Sequence, residues 1–446
     1  MPASHIRWTI CSFLVIALSL GEVGSSRAEA IFKEEIAPVL VRECAGCHNA
    51  EKAKGGYRLD TVGAMLRAGE SGRAPIVPGK PDESYLFNLI ATSDVDDRMP
   101  QKDEPLDSKV IQLVREWISS GASFAGCDTN EPLSGMVAAP HPAPPAAYPR
   151  PLPLRAVGFG PTSEVVAVSG YHEVTVWKSD DGALQGRITN APSSIQSLAY
   201  SPDGSLLALA GGNAGRQGEV SLFALGDGAK RVLGRFNDVM LKVTFSPDGK
   251  LLVGGGSDNS IHVWEAASGK ELRVIQQHAD WVTSVAITPD GKQIISASRD
   301  KTARTYDLDT GELQTTYAEH EGAVWVALPV AGKDQVVSCG RDRSIRVWRT
   351  ADGSTVAKIE RLSAEPLDLA FANERLWAAF SDGTVREIDL AKKAILRTHK
   401  VGSLPVYTVA AGKDSVAAGT HEGSVHIFRP NAETPFSFVA APGLNR

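Results

Sequence analysis

Seven aromatic or apolar residues recur at nearly even spacing through the C-terminal part of this chain: Trp177, Phe223, Trp264, Tyr306, Trp348, Ile388 and Phe428. The intervals are 46, 41, 42, 42, 40 and 40 residues. Ser-Pro-Asp-Gly or a close variant recurs with them, at 201–204, 246–249 and 288–291. Short runs of β-forming residues flank these turns, as in Leu251-Leu252-Val253 and Ile294-Ile295-Ser296. A unit of about 40 residues with four short strands cannot bury its apolar face alone and must stack on copies of itself. Seven such units predict a closed, seven-bladed β-propeller over residues 154–440. The Asp-Gly pairs at 203, 248 and 290 are hairpin-turn chemistry rather than catalytic acids.

The preceding residues read differently. Between 31 and 127 the periodicity is helical. Phe32, Ile36, Val39 and Leu40 share one helical face, which Pro38 starts or kinks. Pro81-Asp82-Glu83-Ser84 suits the opening of a second helix, where acidic residues favour the N-terminus. A third is capped by Asp107 or Ser108, carries Val110, Leu113, Val114 and Trp117 as its stripe, and ends near Gly121. Residues 128–153 form a linker, with six prolines among the thirteen residues from His141 to Pro153. Such composition favours an extended spacer with few tertiary contacts.

At the N-terminus, Met1–Arg7 is weakly basic, Trp8–Leu20 is an apolar run of 13 residues, and Ala28-Glu29-Ala30 is a small-x-small site. In that order these predict a signal peptide over 1–30, cleaved after Ala30. The run is too short to span a bilayer, so no transmembrane segment is expected in the mature chain. The expected location is periplasmic or otherwise exported. Net charge is −6, with no run of Lys and Arg to mark a nucleic-acid surface.

Just inside the expected mature chain lies Cys44-Ala45-Gly46-Cys47-His48. This is Cys-x-x-Cys-His, the attachment sequence for c-type haem. The two thiols would form thioether bonds, and His48 would be the proximal iron ligand. A zinc site is the plain alternative, but zinc needs about four ligands. His48 is the only histidine between Ile31 and Cys127. For the other iron face the segment offers only Met65 and Met99. Met65 sits in Val62-Gly63-Ala64-Met65-Leu66, an apolar helix face. Met99 sits in the loop Asp97-Arg98-Met99-Pro100, where Pro100 restricts the backbone. A methionine that merely fills a gap is the alternative there. Beyond Cys11, Cys44 and Cys47 only Cys127 and Cys339 remain, and spacing leaves their pairing open.

Two resemblances add to this reading. Residues 31–124 resemble the planctomycete-type cytochrome c domain. The matching stretches are Cys44–His48, Lys54-Gly55-Gly56-Tyr57-Arg58-Leu59-Asp60, Ser71-Gly72 through Pro78-Gly79-Lys80-Pro81, Arg98-Met99-Pro100, and Trp117-Ile118 through Gly121-Ala122. The resemblance implies a small all-α cytochrome c fold with one covalent haem and a distal ligand at Met99. The C-terminal units resemble WD repeats. In the fifth, His320, Ser338, Asp342 and Trp348 match the structural hydrogen-bonding residues of that family. In the fourth, His278, Ser296 and Asp300 do so, with Tyr306 in place of tryptophan. Repeats one, two and six match less well. His172, His262, His399, His421 and His426 are scattered without metal-site spacing.

The chain therefore reads as a multidomain protein: an all-α cytochrome c-like domain, then an all-β WD-type propeller. The expected function is single-electron transfer, with no catalytic residue and with the propeller holding a protein partner. The electron-exchanging redox partner is unidentified by sequence. The rival reading is a two-domain oxidoreductase with a second cofactor in the propeller.

Overall fold

The computed structural model describes residues 32, 36–50, 52–101, 104–124, 127, 129–130, 132–133, 141–372, 374–430 and 432–444. The expected signal peptide lies outside them. The chain divides into two compact units, Met1–Ala139 and Pro140–Arg446.

Among the described residues of the first unit are four α-helices. Helix α1 (Ala37–Glu43) has Pro38 in its first turn, where a missing N–H costs nothing. Helix α2 (Val62–Met65) is capped by Thr61, whose hydroxyl accepts the Ala64 N–H. Pro81–Glu83 forms a single 3₁₀ turn, and helix α3 (Tyr85–Ala91) begins only after Ser84. Helix α4 (Ser108–Ser119) is capped by Asp107. Val114, Trp117 and Ile118 bury its inner face, while Val110 and Leu113 are only half-buried. Trp117 stacks with Phe32 and meets Phe124 edge-on, at centroid distances of 5.5 and 5.3 Å. The core also takes in Ile36, Leu40, Leu59, Met65 and Phe87.

Among the described residues of the second unit, 28 strands form seven four-stranded antiparallel sheets. Each blade uses four consecutive strands, from β1–β4 (157–189) to β25–β28 (406–439). The seven recurring residues all fall on the third strand of their blade and are all buried. The first strands of neighbouring blades pack side by side around the ring. In blade 5, His320 Nδ1 lies 2.8 Å from Asp342 Oδ2 and Nε2 lies 2.9 Å from Ser338 Oγ. Trp348 Nε1 donates to the same Ser338 oxygen at 3.3 Å. Blade 4 repeats the chain with Asp300, His278 and Ser296, at 2.7 Å for both bonds. These chains tie the loop before a blade to its second and third strands, so His278 and His320 are blade fasteners.

The proline-rich stretch differs from expectation. From residue 141 onward it is bound to the propeller. Glu173 is fully buried, and its carboxylate accepts the Tyr148 hydroxyl at 2.6 Å and the Arg187 guanidinium at 2.6 and 2.7 Å. Arg187 also donates to the carbonyls of Pro145 and Ala146. His141 Nε2 lies 3.0 Å from Glu219 Oε2. Burial alone would raise the Glu219 carboxyl, but His141 and Lys230 hold it at about 2. At the other end, Tyr148 N–H donates to Pro442 O and Leu154 N–H to Thr420 O. Residues 141–154 thus strap blades 1 and 2 to the last blade, where the ring closes.

One blade histidine carries a pH dependence. In β11 (Ile261–Glu265), His262 Nδ1 lies 2.7 Å from Glu271 Oε1 and Nε2 lies 2.8 Å from Asp258 Oδ2. Burial would lower its pKa, but the hydrogen bonds to Asp258 and Glu271 outweigh this and raise it to about 9. The ring stacks on Trp264 at 5.4 Å. An ordinary imidazole titrates near 6.5, so the charged cluster stabilises in full below about pH 6.5. That stabilisation is lost as pH climbs through about 9. The stability gap between the native chain and His262→Gln, measured by urea unfolding, should be widest near about pH 6 and close toward about pH 9.5. A gap constant over that range contradicts the assignment.

Candidate haem cleft

The turn after α1 fixes the motif. Cys44 N–H donates to Leu40 O, closing the helix, and Cys47 and His48 N–H both donate back to Cys44 O at 3.1 Å. The chain then turns through Lys54–Gly56. Gly55 and Gly56 have φ of 63° and 67°, backbone that only glycine adopts without strain. This turn brings Leu59 N–H to His48 O at 2.7 Å and Glu70 N–H to Gly55 O at 2.8 Å. It explains why the Lys54–Asp60 stretch needs paired glycines.

The turn also sets the histidine. His48 Nδ1 lies 3.2 Å from the Tyr57 carbonyl. A carbonyl only accepts, so Nδ1 carries the proton and Nε2 keeps its lone pair. That arrangement suits an imidazole that binds metal through Nε2. The Tyr57 ring meets His48 edge-on at 5.7 Å, and its hydroxyl donates to Met65 O at 2.9 Å. Burial, with Cys44 nearby, pushes the Tyr57 phenol upward. Tyr57 lies within Lys54–Asp60, and its residue type alone gives it no role. Its contact to His48 runs through the backbone, which no residue type announces.

The far wall is built by the segment around α3. Ser84 is fully buried; its hydroxyl accepts Val77 N–H and donates to Lys80 O, both at 2.9 Å. This pins the Pro78-Gly79-Lys80-Pro81 loop to the start of α3. Met99 N–H donates to Leu89 O at 2.9 Å, holding the Met99 loop to the end of α3.

Cys44, Cys47, His48 and Met99 line one cleft of about 510 Å³, walled by Leu59, Tyr85, Leu86, Leu89 and Ile90 among others. Met65 is not in it: its side chain is fully buried in the helical core. Burial first, then Glu43 and Cys47, push the Cys44 thiol up to about 11. It is a neutral thiol at ordinary pH rather than a preformed thiolate. Among the described residues no three His, Cys, Asp or Glu side chains gather as a metal cage. The donor set fits a planar group held by two thiols and gripped by imidazole and thioether. Cys127 packs against the helical core, and Cys339 is fully buried in the propeller. No described helix is long and apolar enough to cross a membrane.

Comparison with known proteins agrees with this division. Residues 44–103 match the family described as planctomycete cytochrome C. Residues 233–265, 269–307 and 311–349 match the WD domain, G-beta repeat. A stretch of 36 residues is 56% identical to part of a protein of Thermomonospora curvata named "Probable serine/threonine-protein kinase PkwA". That stretch covers 8% of this chain and 5% of the relative. The chain thus carries a planctomycete cytochrome C segment followed by a seven-bladed propeller with WD repeats.

Proposed function

We propose that this protein is an exported mono-haem c-type cytochrome that transfers single electrons, with its propeller as the protein-docking module. The observation that carries the proposal is the convergence of Cys44, Cys47, His48 and Met99 on one cleft. Haem bound there would supply a one-electron iron couple. Cys44 and Cys47 would hold it covalently, and His48 and Met99 would bind its iron. With both residues on the iron, the centre would suit electron transfer rather than substrate binding at the metal. Thioether with imidazole would favour a raised reduction potential. The expected export to an oxidising compartment fits this chemistry.

The propeller supports docking rather than a second centre. Its histidines at 278 and 320 are spent on blade fastening. Lys242 of blade 3 and Asp368 of blade 6 approach to 4.0 Å. Blades three apart in a ring of seven meet only across the central channel. An ion pair therefore spans the space that a channel-bound cofactor would need.

The test is a spectroelectrochemical titration of the full chain matured in a bacterial periplasm. A single reversible one-electron wave, with no second chromophore, is expected. A second absorbing centre that titrates separately would favour the two-cofactor oxidoreductase.

A further inference from the structure

Blades 3 to 7 share one turn between their second and third strands: Ser257-Asp258-Asn259-Ser260, Arg299-Asp300-Lys301-Thr302, Arg341-Asp342-Arg343-Ser344, Ser381-Asp382-Gly383-Thr384 and His421-Glu422-Gly423-Ser424. The third residue is left-handed in every case, with φ of 65°, 73°, 55°, 78° and 79° in that order. Glycine and asparagine take this conformation most cheaply. Blades 3, 6 and 7 comply. Blades 4 and 5 instead place Lys301 and Arg343 there, long cations at a backbone position that disfavours them. Only these two blades also carry arginine at the first position of the turn.

The four cations are exposed and converge on one cleft of about 560 Å³, together with Asp280, Glu321 and Asp342. Most of the acids in it are engaged. Asp342 accepts from His320, Ser344 and the Glu321 N–H. Asp280 accepts the Trp281 N–H and faces Arg299 at 3.6 Å. Arg299 also lies over the Trp281 ring at 4.3 Å, leaving a flat aromatic and guanidinium surface beside the cleft. Lys301, Arg341 and Arg343 make no side-chain ion pair, and Glu321 is the one acid left over among the described residues. Four cations against three carboxylates leave the cleft positive by one charge, on a chain whose net charge is −6.

We propose that this cleft between blades 4 and 5 is the docking surface for an acidic segment of a partner protein. The proposal rests on reading the propeller as a docking module and names the chemistry of its partner. Arginine and tryptophan are the residues that most often dominate binding energy at protein interfaces. Complementary charge would steer the encounter and fix its register.

The test uses the full-length chain and a fluorescein-labelled octaglutamate peptide, read by anisotropy in low salt. Octaglutamate should bind and octaglutamine should not. Arg341→Glu combined with Arg343→Glu should weaken binding at least about tenfold, with the thermal midpoint and visible spectrum unchanged. Lys392→Glu combined with Lys393→Glu, an equal charge reversal on an exposed turn of blade 6, should leave affinity within about twofold. If octaglutamate fails to bind, or octaglutamine binds equally, the proposal is wrong. If octaglutamate binds but charge reversal does not weaken it, docking lies elsewhere: this proposal falls while the docking-module reading stands. Tighter, reversal-sensitive binding of an oligothymidylate of equal charge would reassign the cleft to nucleic acid and overturn the proposal.

Discussion

Met99→Ala is expected to strip the distal ligand from the iron and leave the fold standing, whereas Met65→Ala is expected to do the reverse. Met99 is half-buried at the cleft, on a loop anchored through its own backbone to Leu89. Truncation there removes a sulfur from a side chain that packs only half-buried at the edge of the core. The Met99→Ala chain should lose the sulfur–iron charge-transfer band, admit carbon monoxide, and show a lowered potential. Met65 is fully buried between Leu59, Val62 and the rest of the helical core. Its truncation should cost about 2–5 kcal/mol in urea unfolding while the visible spectrum is retained. Loss of the band in Met65→Ala and its survival in Met99→Ala would mean the ligand is wrongly assigned.

The second large effect concerns attachment. Cys44→Ser together with Cys47→Ser should abolish haem staining of the band on a denaturing gel. The walls of the cleft come from Tyr57, Leu59 and α3, outside the motif. The serine chain should therefore still fold and take up some haem loosely, then lose it in denaturant. Each single serine variant should retain one thioether and stain weakly. A double variant that stains as strongly as the native chain would place the covalent bond elsewhere.

Much of the architecture was legible in the sequence because it repeats. Seven copies of one pattern fix both the unit and its number, and all seven marker residues land on the third strand of a blade. Tyr306 could stand for tryptophan because the position asks for a large buried ring, and it is fully buried. The helix after Pro81 was legible as a start signal, but Pro81–Glu83 tightened into a 3₁₀ turn because Ser84 spends its hydroxyl on the preceding loop. The proline-rich stretch was expected to carry few tertiary contacts, and residues 141–154 carry several. Proline content reports backbone stiffness only. Its anchors, Tyr148 to Glu173 and His141 to Glu219, join residues 25 and 78 positions apart. No local pattern encodes such pairs. In the cleft, the thiols and His48 were legible as a motif, while Tyr57 was not, since it acts through its carbonyl. The cationic turns of blades 4 and 5 emerge only when the blades are aligned on their φ values.

The central claim is one covalent haem per exported chain, and intact mass spectrometry of protein matured in a bacterial periplasm tests it most directly. The account predicts a chain beginning at Ile31 whose mass exceeds the polypeptide by one haem, with a pyridine spectrum of the two-thioether type. A mass equal to the bare polypeptide, with zinc bound and no haem absorption, would contradict it.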